Sequence, residues 1–439
     1  MIFIFYRILI FLGTTNNYIA ITTALSRVQR IGRRRRIIVY HDYADILDTT
    51  NVSFDGDFHT QIKNLMDYIR MSRDEVERLQ LLFNDLQDIF GNTWKGSKLE
   101  VFGSIVTGLA LRSSDVDCLV NLPPWLDMPR ADFVIEARKI LQRNRKFQNV
   151  FAITKAKVPI VQFTYVPTNT HCDVSFSTRA AVKNSKLLEY LIFSDERILT
   201  LMVLVKYWSK IQCFTGMNLM SSYSLTLLFL FYLQQKNILP SIRILQENVT
   251  EDIEDNWNTA FSLSVSKSSN NDSLYTLFGG FLKYYENFNF KKYVISLYTG
   301  TLIDREKFKS LETLPEEFEL YKINVTRNIC QPLRIDTMMC IQDPFNHSRN
   351  CGVSVHPKLA LRIIHLFSNA VKIYESETEA IFLKKLLCTN EKPQTAFRPT
   401  FRNFVAKKGS IQKHQWNRGQ LKQKGRKFKQ QFKHNRNQR

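Results

Sequence analysis

The chain has 439 residues, 44% of them hydrophobic and 12% aromatic, which is enough apolar material for packed cores and excludes a globally disordered chain. Its 61 Lys+Arg against 40 Asp+Glu give a net charge of +21, which speaks to partners, a polyanion first, and not to fold. Seven scattered cysteines with no C-x-x-C pair exclude a disulfide framework, give poor zinc spacing and fit a reduced intracellular compartment.

Residues 1–54 read as leader and linker. Met1–Leu12 is apolar with Arg7 inside, no acid precedes Asp42, and six arginines fall between Arg27 and Arg36. The expected location is cytoplasmic; the acid-free, Arg-bearing start keeps a mitochondrial presequence as the alternative. Phe58–Phe90 carries apolar residues at helical spacing. Trp94–Phe176 turns to β-branched runs, with strands expected at Val116–Val120, Val158–Val166 and Cys172–Phe176 and a helix near Ala131–Arg143. Residues 186–310 are mostly helical in pattern. Leu225–Leu233 is too short to span a membrane and reads as a buried core helix; no apolar run reaches the ~18 residues a span requires. The polar stretch Gln246–Asp272 is expected to be a loop, Cys330–Asp343 leads into another, and His356–Glu375 is a further helix. After about Cys388 the chain is polar, basic and expected to be disordered. Thr395–Arg439 holds 14 Lys+Arg and no acid. With the arginine cluster it accounts for nearly all of the excess charge and leaves the body close to neutral. The order helix, mixed α/β, helices predicts an α+β protein of two lobes with a cleft between them.

The chemistry concentrates in Val101–Leu122. Gly103-Ser104 occupies a turn, where backbone N–H groups and a hydroxyl can approach a phosphate. Eleven residues on, Asp115 and Asp117 flank Val116 at the start of a strand, so both carboxylates project from one face. Two such charges repel unless a cation lies between them, and Mg²⁺ takes one or two carboxylates plus substrate phosphates. In His171–Phe176, Cys172, Val174 and Phe176 alternate toward the core, which leaves Asp173 on the opposite face as a third carboxylate. A D-x-D alone is commonly just solvated; the turn, the gap, the pair and the later strand carboxylate together are far more specific. Lys206 and Lys210 share a helix face at i, i+4. Ser221 is a natural N-cap for the apolar helix, with Ser222 and Tyr223 in its first turn.

These residues resemble the DNA polymerase β-like nucleotidyltransferase superfamily. Within it they resemble the terminal uridylyltransferases and noncanonical poly(A) polymerases over roughly residues 58–375, with an overall character like the insect Tailor type. The resemblance implies a mixed-sheet nucleotidyltransferase palm at 55–185 with its preceding helix and a mainly helical central and poly(A)-polymerase-associated domain at 186–388; the charge count adds a basic tail at 389–439, expected to bind RNA. The resemblance also implies that Asp115, Asp117 and Asp173 ligate two Mg²⁺ or Mn²⁺ ions and carry catalysis. Gly103, Ser104, Lys206, Lys210 and Ser222 would hold the triphosphate, Tyr223 would stack on the base, and Asn184 would contact the ribose 2′-OH. Asp343-Pro344-Phe345, with Asn350 and Gly352, matches the family's nucleotide-recognition loop. There Arg349 stands where many uridylyltransferases carry a histidine that blocks purines, and His347 is either a shifted substitute or an incidental loop residue. The activity implied is template-independent addition of UMP from UTP to an RNA 3′ end, with AMP from ATP as the alternative and a monomer as the expected state. The rivals are a non-catalytic RNA-binding scaffold, which the complete acidic triad opposes, and a second-messenger synthase, which the Lys206–Lys210, Ser221–Tyr223 and Asp343–Phe345 segments oppose. The tail interleaves Phe401, Phe404, Trp416, Phe428 and Phe432 with cations, as single-stranded RNA would require.

Overall fold

Asp57 starts the first helix, α1 (Phe58–Ile69), its carboxylate accepting from the Thr60 N–H. Ser72 and Glu75 form a capping box for α2 (Arg73–Thr93). The apolar pattern over Phe58–Phe90 is thus two helices, broken where Arg70 turns extended. The break sends the two stripes to different cores. Phe58, Ile62, Leu65 and Ile69 pack with the helical lobe, whereas Leu79, Leu82, Leu86 and Phe90 pack on the sheet. Within residues 55–185, α1 thus packs with the helical lobe. The computed structural model describes Thr49 and residues 52–388 except 157 and 264–267; the basic tail and most of the expected leader and linker lie outside the described residues, but Val52, in the expected linker, is buried in the helical-lobe core.

The sheet follows from period-2 alternation. Its strands are β1 (Lys98–Phe102), β2 (Val116–Asn121), β3 (Phe147–Ile153), β4 (Ile160–Tyr165) and β5 (Thr170–Ser175), with α3 (Arg130–Leu141) between β2 and β3. Their spatial order is β1-β2-β5-β4-β3; β2 and β5 run parallel and the other neighbours antiparallel. Val116, Cys118, Val161, Phe163, Cys172 and Val174 are buried in one core with α2 and α3. The side chains between them point to the open face. Val158 falls outside β4, as suits the residue before Pro159, whose missing N–H cannot join a ladder.

The helical lobe comprises α4 (Ala180–Phe193), α5 (Glu196–Ile211), α6 (Ser222–Gln235), the short α7 (Ile242–Gln246), α8 (Leu274–Glu286), α9 (Glu319–Thr326), α10 (Pro357–Ser376) and α11 (Glu379–Cys388). Ser221 caps α6 by accepting from the Ser224 N–H, and α6 is buried from Ser224 to Gln234. This is the core helix the run Leu225–Leu233 predicts. Each of its buried leucines and phenylalanines contributes roughly 1.5–3 kcal/mol of burial free energy. A small sheet, β10-β8-β9, is formed by β8 (Tyr293–Ser296), β9 (Thr301–Asp304) and β10 (Cys340–Gln342). Among the described residues no helix is long and apolar enough to cross a membrane.

The polar stretch Gln246–Asp272 is not a plain loop. It contains a hairpin of β6 (Ile253–Glu254) and β7 (Trp257–Asn258). Asp255 and Asn256 turn it with φ of 51° and 65°, the left-handed pair a tight hairpin requires. Trp257 is 3% exposed, and Arg179 N–H and Lys183 reach Glu254 and Asp252 from α4. Two-residue strands carry no alternation long enough to be read from sequence.

Candidate active site

Asp117 lies in β2 and Asp173 directly opposite it in the parallel β5. Cross-strand partners share a face, so the two carboxylates meet on the open side of the sheet, with Asp115 one residue before β2. Their environment opposes double ionisation. Burial, then the charges of Asp173 and Asp115, push Asp117 up to about 7. Burial raises Asp173 to about 6 against the opposing donation of Gln162 Nε2 to its Oδ1 at 3.0 Å. Among the described residues no three His, Cys, Asp or Glu side chains form a ready-made metal cage. The fit to a divalent cation rests on the paired carboxylates themselves, whose mutual repulsion a cation relieves and whose hard oxygens suit Mg²⁺ completed by phosphates and water.

Gly103 follows β1 at φ +74°, and a Cβ there would stand 2.4 Å from Asp117 Oδ2. The turn therefore needs glycine twice, for its backbone angle and for the carboxylate packed against it. The Gly103 N–H is held by Ser185 Oγ at 2.9 Å, and Ser185 in turn donates to the Ala181 carbonyl. Ser104 stands half-buried in the same turn. From α5, Lys206 Nζ donates to the Leu109 carbonyl at 2.7 Å and is buried, not presented to solvent. Burial, then the neighbouring Lys210 charge, lowers it to about 7, and burial lowers Lys210 as well. Lys206 thus ties the helical lobe to the segment before β2, while the carboxylate charges of Asp117 and Asp115 act on it and that of Asp115 on Lys210. Ser222 is the first residue of α6, at a helix N-terminus that favours anions.

The recognition side is organised by Asp343, which is 1% exposed. Its Oδ1 accepts from the N–H groups of Phe345 and Asn346. Its Oδ2 accepts from Asn184 Nδ2 at 3.3 Å, Tyr223 OH at 3.2 Å and an Arg349 guanidinium N–H at 3.4 Å. Asp343 is spent on protein partners and fixes the three groups around it. Asn184 keeps its Oδ1 buried without a partner, an acceptor that a hydroxyl would satisfy. The Arg349 guanidinium lies 5.8 Å over the Tyr223 ring. Asn350 Oδ1 accepts from the Ile341 and Gly352 N–H groups and so shapes the recognition loop. A small open cleft lies between Asn184, Asp343 and Arg349 and the hairpin residues Glu254, Asp255 and Trp257.

His347 is not part of this group. It is buried among Tyr298, Trp257 and Phe318 with ring centroids at 4.1, 5.4 and 5.5 Å. Burial depresses it to about 3, so it stays neutral in an aromatic box and cannot replace the expected base-facing histidine. Ser185 and Gln162 are the site-forming residues that sequence reasoning missed. Nothing distinguishes them along the chain, although Ser185 follows Asn184 and a face count along β4 would have found Gln162.

A family model described as "Poly(A) RNA polymerase, mitochondrial-like, central palm domain" matches residues 58–192, and one described as "Cid1 family poly A polymerase" matches 273–349. Terminal uridylyltransferase 7 of Homo sapiens is 28% identical over 312 residues, covering 66% of this chain and 19% of that protein. Poly(A) RNA polymerase cid11 of Schizosaccharomyces pombe is 26% identical over 314 residues, covering 69% and 59%. The chain spans less than a fifth of the length of the uridylyltransferase it matches. A crystal structure of the Cid1 poly(U) polymerase superposes with a TM-score of 0.62 at 24% identity, covering 75% of this chain and 98% of that one, a likeness of fold.

Proposed function

Because the chain belongs to the terminal uridylyltransferase and poly(A) polymerase family, we propose that it is an RNA 3′-terminal nucleotidyltransferase that adds UMP from UTP without a template. The observation that carries this is the Asp117–Asp173 pair on the open sheet face, with Asp117 seated against the Gly103 turn, in a chain whose Asn184, Tyr223 and Arg349 gather on the buried Asp343. Divalent ions at Asp115, Asp117 and Asp173, two of Mg²⁺ or Mn²⁺, would supply charge neutralisation at the attacking 3′-oxygen and at the leaving pyrophosphate. The chain's own part is positioning. The Gly103 turn gives the triphosphate close approach, Ser104 and the first turn of α6 offer N–H and hydroxyl donors to it, Lys206 and Lys210 offer positive charge, and Asn184 Oδ1 offers an acceptor to the ribose hydroxyl. The Tyr223 ring, its hydroxyl pinned by Asp343, offers a face to the base.

Uracil is favoured over adenine by Arg349. Its remaining N–H groups match carbonyl oxygens, which uracil presents and adenine lacks, and its bulk shortens the space a purine needs. Arg349→Ala should reduce the UTP-over-ATP preference by about 10-fold or more, the scale of losing one donor set to a base. Ratios of kcat/KM for the two nucleotides measure it, and an unchanged ratio removes Arg349 from base choice. The reading as a whole is tested with purified full chain, labelled oligoribonucleotide, Mg²⁺ or Mn²⁺ and each nucleoside triphosphate in turn. Extension with UTP, abolished by Asp115→Ala, is the expected result. Extension with ATP alone selects the poly(A) polymerase alternative, and RNA binding with no extension selects a scaffold. We also assign the tail at 389–439 to RNA binding, a monomeric state and a cytoplasmic location. Import into isolated mitochondria would replace the last with the alternative read from residues 1–41.

A further inference from the structure

The open face of the palm sheet continues past the carboxylates. Cross-strand partners lead from Asp117 to Asp173, from Asp173 to Gln162 and from Gln162 to Phe151, one straight row over four strands. At about 4.8 Å per strand, Phe151 stands about 10 Å beyond Asp173. It is 55% exposed, with Ile153 and Val158 near it at 39% and 48%, although the neighbouring Val150 is buried in the sheet core. The ring lies in line with the carboxylates and is more than half exposed. The groups assigned to the incoming nucleotide, from Gly103 to Arg349, lie on the β1 and helical-lobe side of Asp173. The β4–β3 side is the direction left for the second substrate.

The local sequence there is also one-sided in charge, with one of its cations, Lys146, paired to Asp85 of α2. From Ala137 to Cys172 the sequence holds seven Lys+Arg and no Asp or Glu. Arg143 and Arg145 just before β3, and Lys155 just after it, are exposed. The exposed ring thus sits inside an acid-free, cationic segment of the near-neutral body. A protein strand docking on β3 is disfavoured by the bulge between Gln148 and Phe151, where Asn149 adopts φ 52°, because bulged edges resist strand addition.

We propose that the open face of β4–β3 seats the 3′-terminal segment of the acceptor RNA, with Phe151 stacking on a base beside the reacting end. This rests on the nucleotidyltransferase reading of the site. Cations flanking β3 hold the backbone, and the aromatic holds a base whatever its identity. Gln162, donating to Asp173 from the same row, joins the seat to the site.

The test uses the full chain, short single-stranded oligoribonucleotides and the variants Phe151→Ala and Phe151→Trp. Phe151→Ala should raise the acceptor KM about tenfold, within the 1–3 kcal/mol of a base–aromatic stack, with the UTP KM and the rate at saturating RNA unchanged. Phe151→Trp should restore it. A merely structural role would instead lower the melting temperature and move both KM values. A second measurement does not depend on turnover: an oligoribonucleotide ending in 5-iodouracil, irradiated on the protein without nucleotide, should cross-link to Phe151. Extension by wild type with an unchanged acceptor KM in Phe151→Ala, and no cross-link on β3, overturns the seat and leaves the activity standing. No extension by wild type with any nucleotide sinks the activity, and the cross-link then still decides the seat.

Discussion

Gly103→Ala should lose at least about 100-fold in extension rate while the protein still folds, a loss of the size expected when a reacting group is misplaced by about 1 Å. The Cβ has nowhere to go: at φ +74° it would lie 2.4 Å from Asp117 Oδ2 and 3.2 Å from its Cγ. Either the turn moves, taking the Gly103 N–H off Ser185 and Ser104 away from the triphosphate, or Asp117 rotates away from Asp173. The left-handed backbone adds a stability cost of roughly 1–2 kcal/mol. Gly96→Ala separates the two effects. Gly96 sits at φ +88°, but its Cβ would meet only the edge of the exposed Trp125, 3.2 Å away. It should lower the melting temperature similarly and leave extension intact. Equal activity in the two variants would show that the Gly103 turn does not govern the carboxylates.

The same pair of residues shows what a sequence makes readable. Asp115, Asp117, Gly103 and Ser104 are close along the chain, so local spacing alone brings them together. Asp173 is legible one step further off, because alternation gives its face, although only the parallel β2–β5 pairing places it opposite Asp117. The Asp343 cluster is different in kind. Asn184, Tyr223 and Arg349 come from α4, α6 and the recognition loop and converge on one buried carboxylate. Each was recognisable through resemblance, but that Asp343 holds the others was not. His347 and Arg349, two positions apart, part company for a physical reason. One turns into an aromatic box behind the loop and the other turns toward Tyr223. The two-residue hairpin at 253–258 and the division of Phe58–Phe90 between two cores were likewise settled by tertiary packing.

Asp117→Asn should abolish extension and yet stabilise the metal-free protein at alkaline pH. The buried carboxylate is raised from 3.8 to about 7, so the folded state holds its proton more tightly than the unfolded chain. The sign follows from proton linkage: between those two values the folded state binds more protons, and stability falls as pH rises. The cost is absent near pH 4 and complete above about pH 7, on the order of 2–4 kcal/mol. Asparagine keeps the shape and removes the charge. In chelator, thermal melts should therefore show variant and wild type alike near pH 4–5 and the variant several degrees higher at pH 8. Mg²⁺ with UTP should raise the wild-type midpoint and narrow the gap, because the cation offsets the repulsion among Asp115, Asp117 and Asp173. A variant less stable than wild type at pH 8, or a difference that does not change with pH, would mean that the carboxylates are not held in mutual opposition. In that case the site is tuned by something other than the charge a bound cation would neutralise.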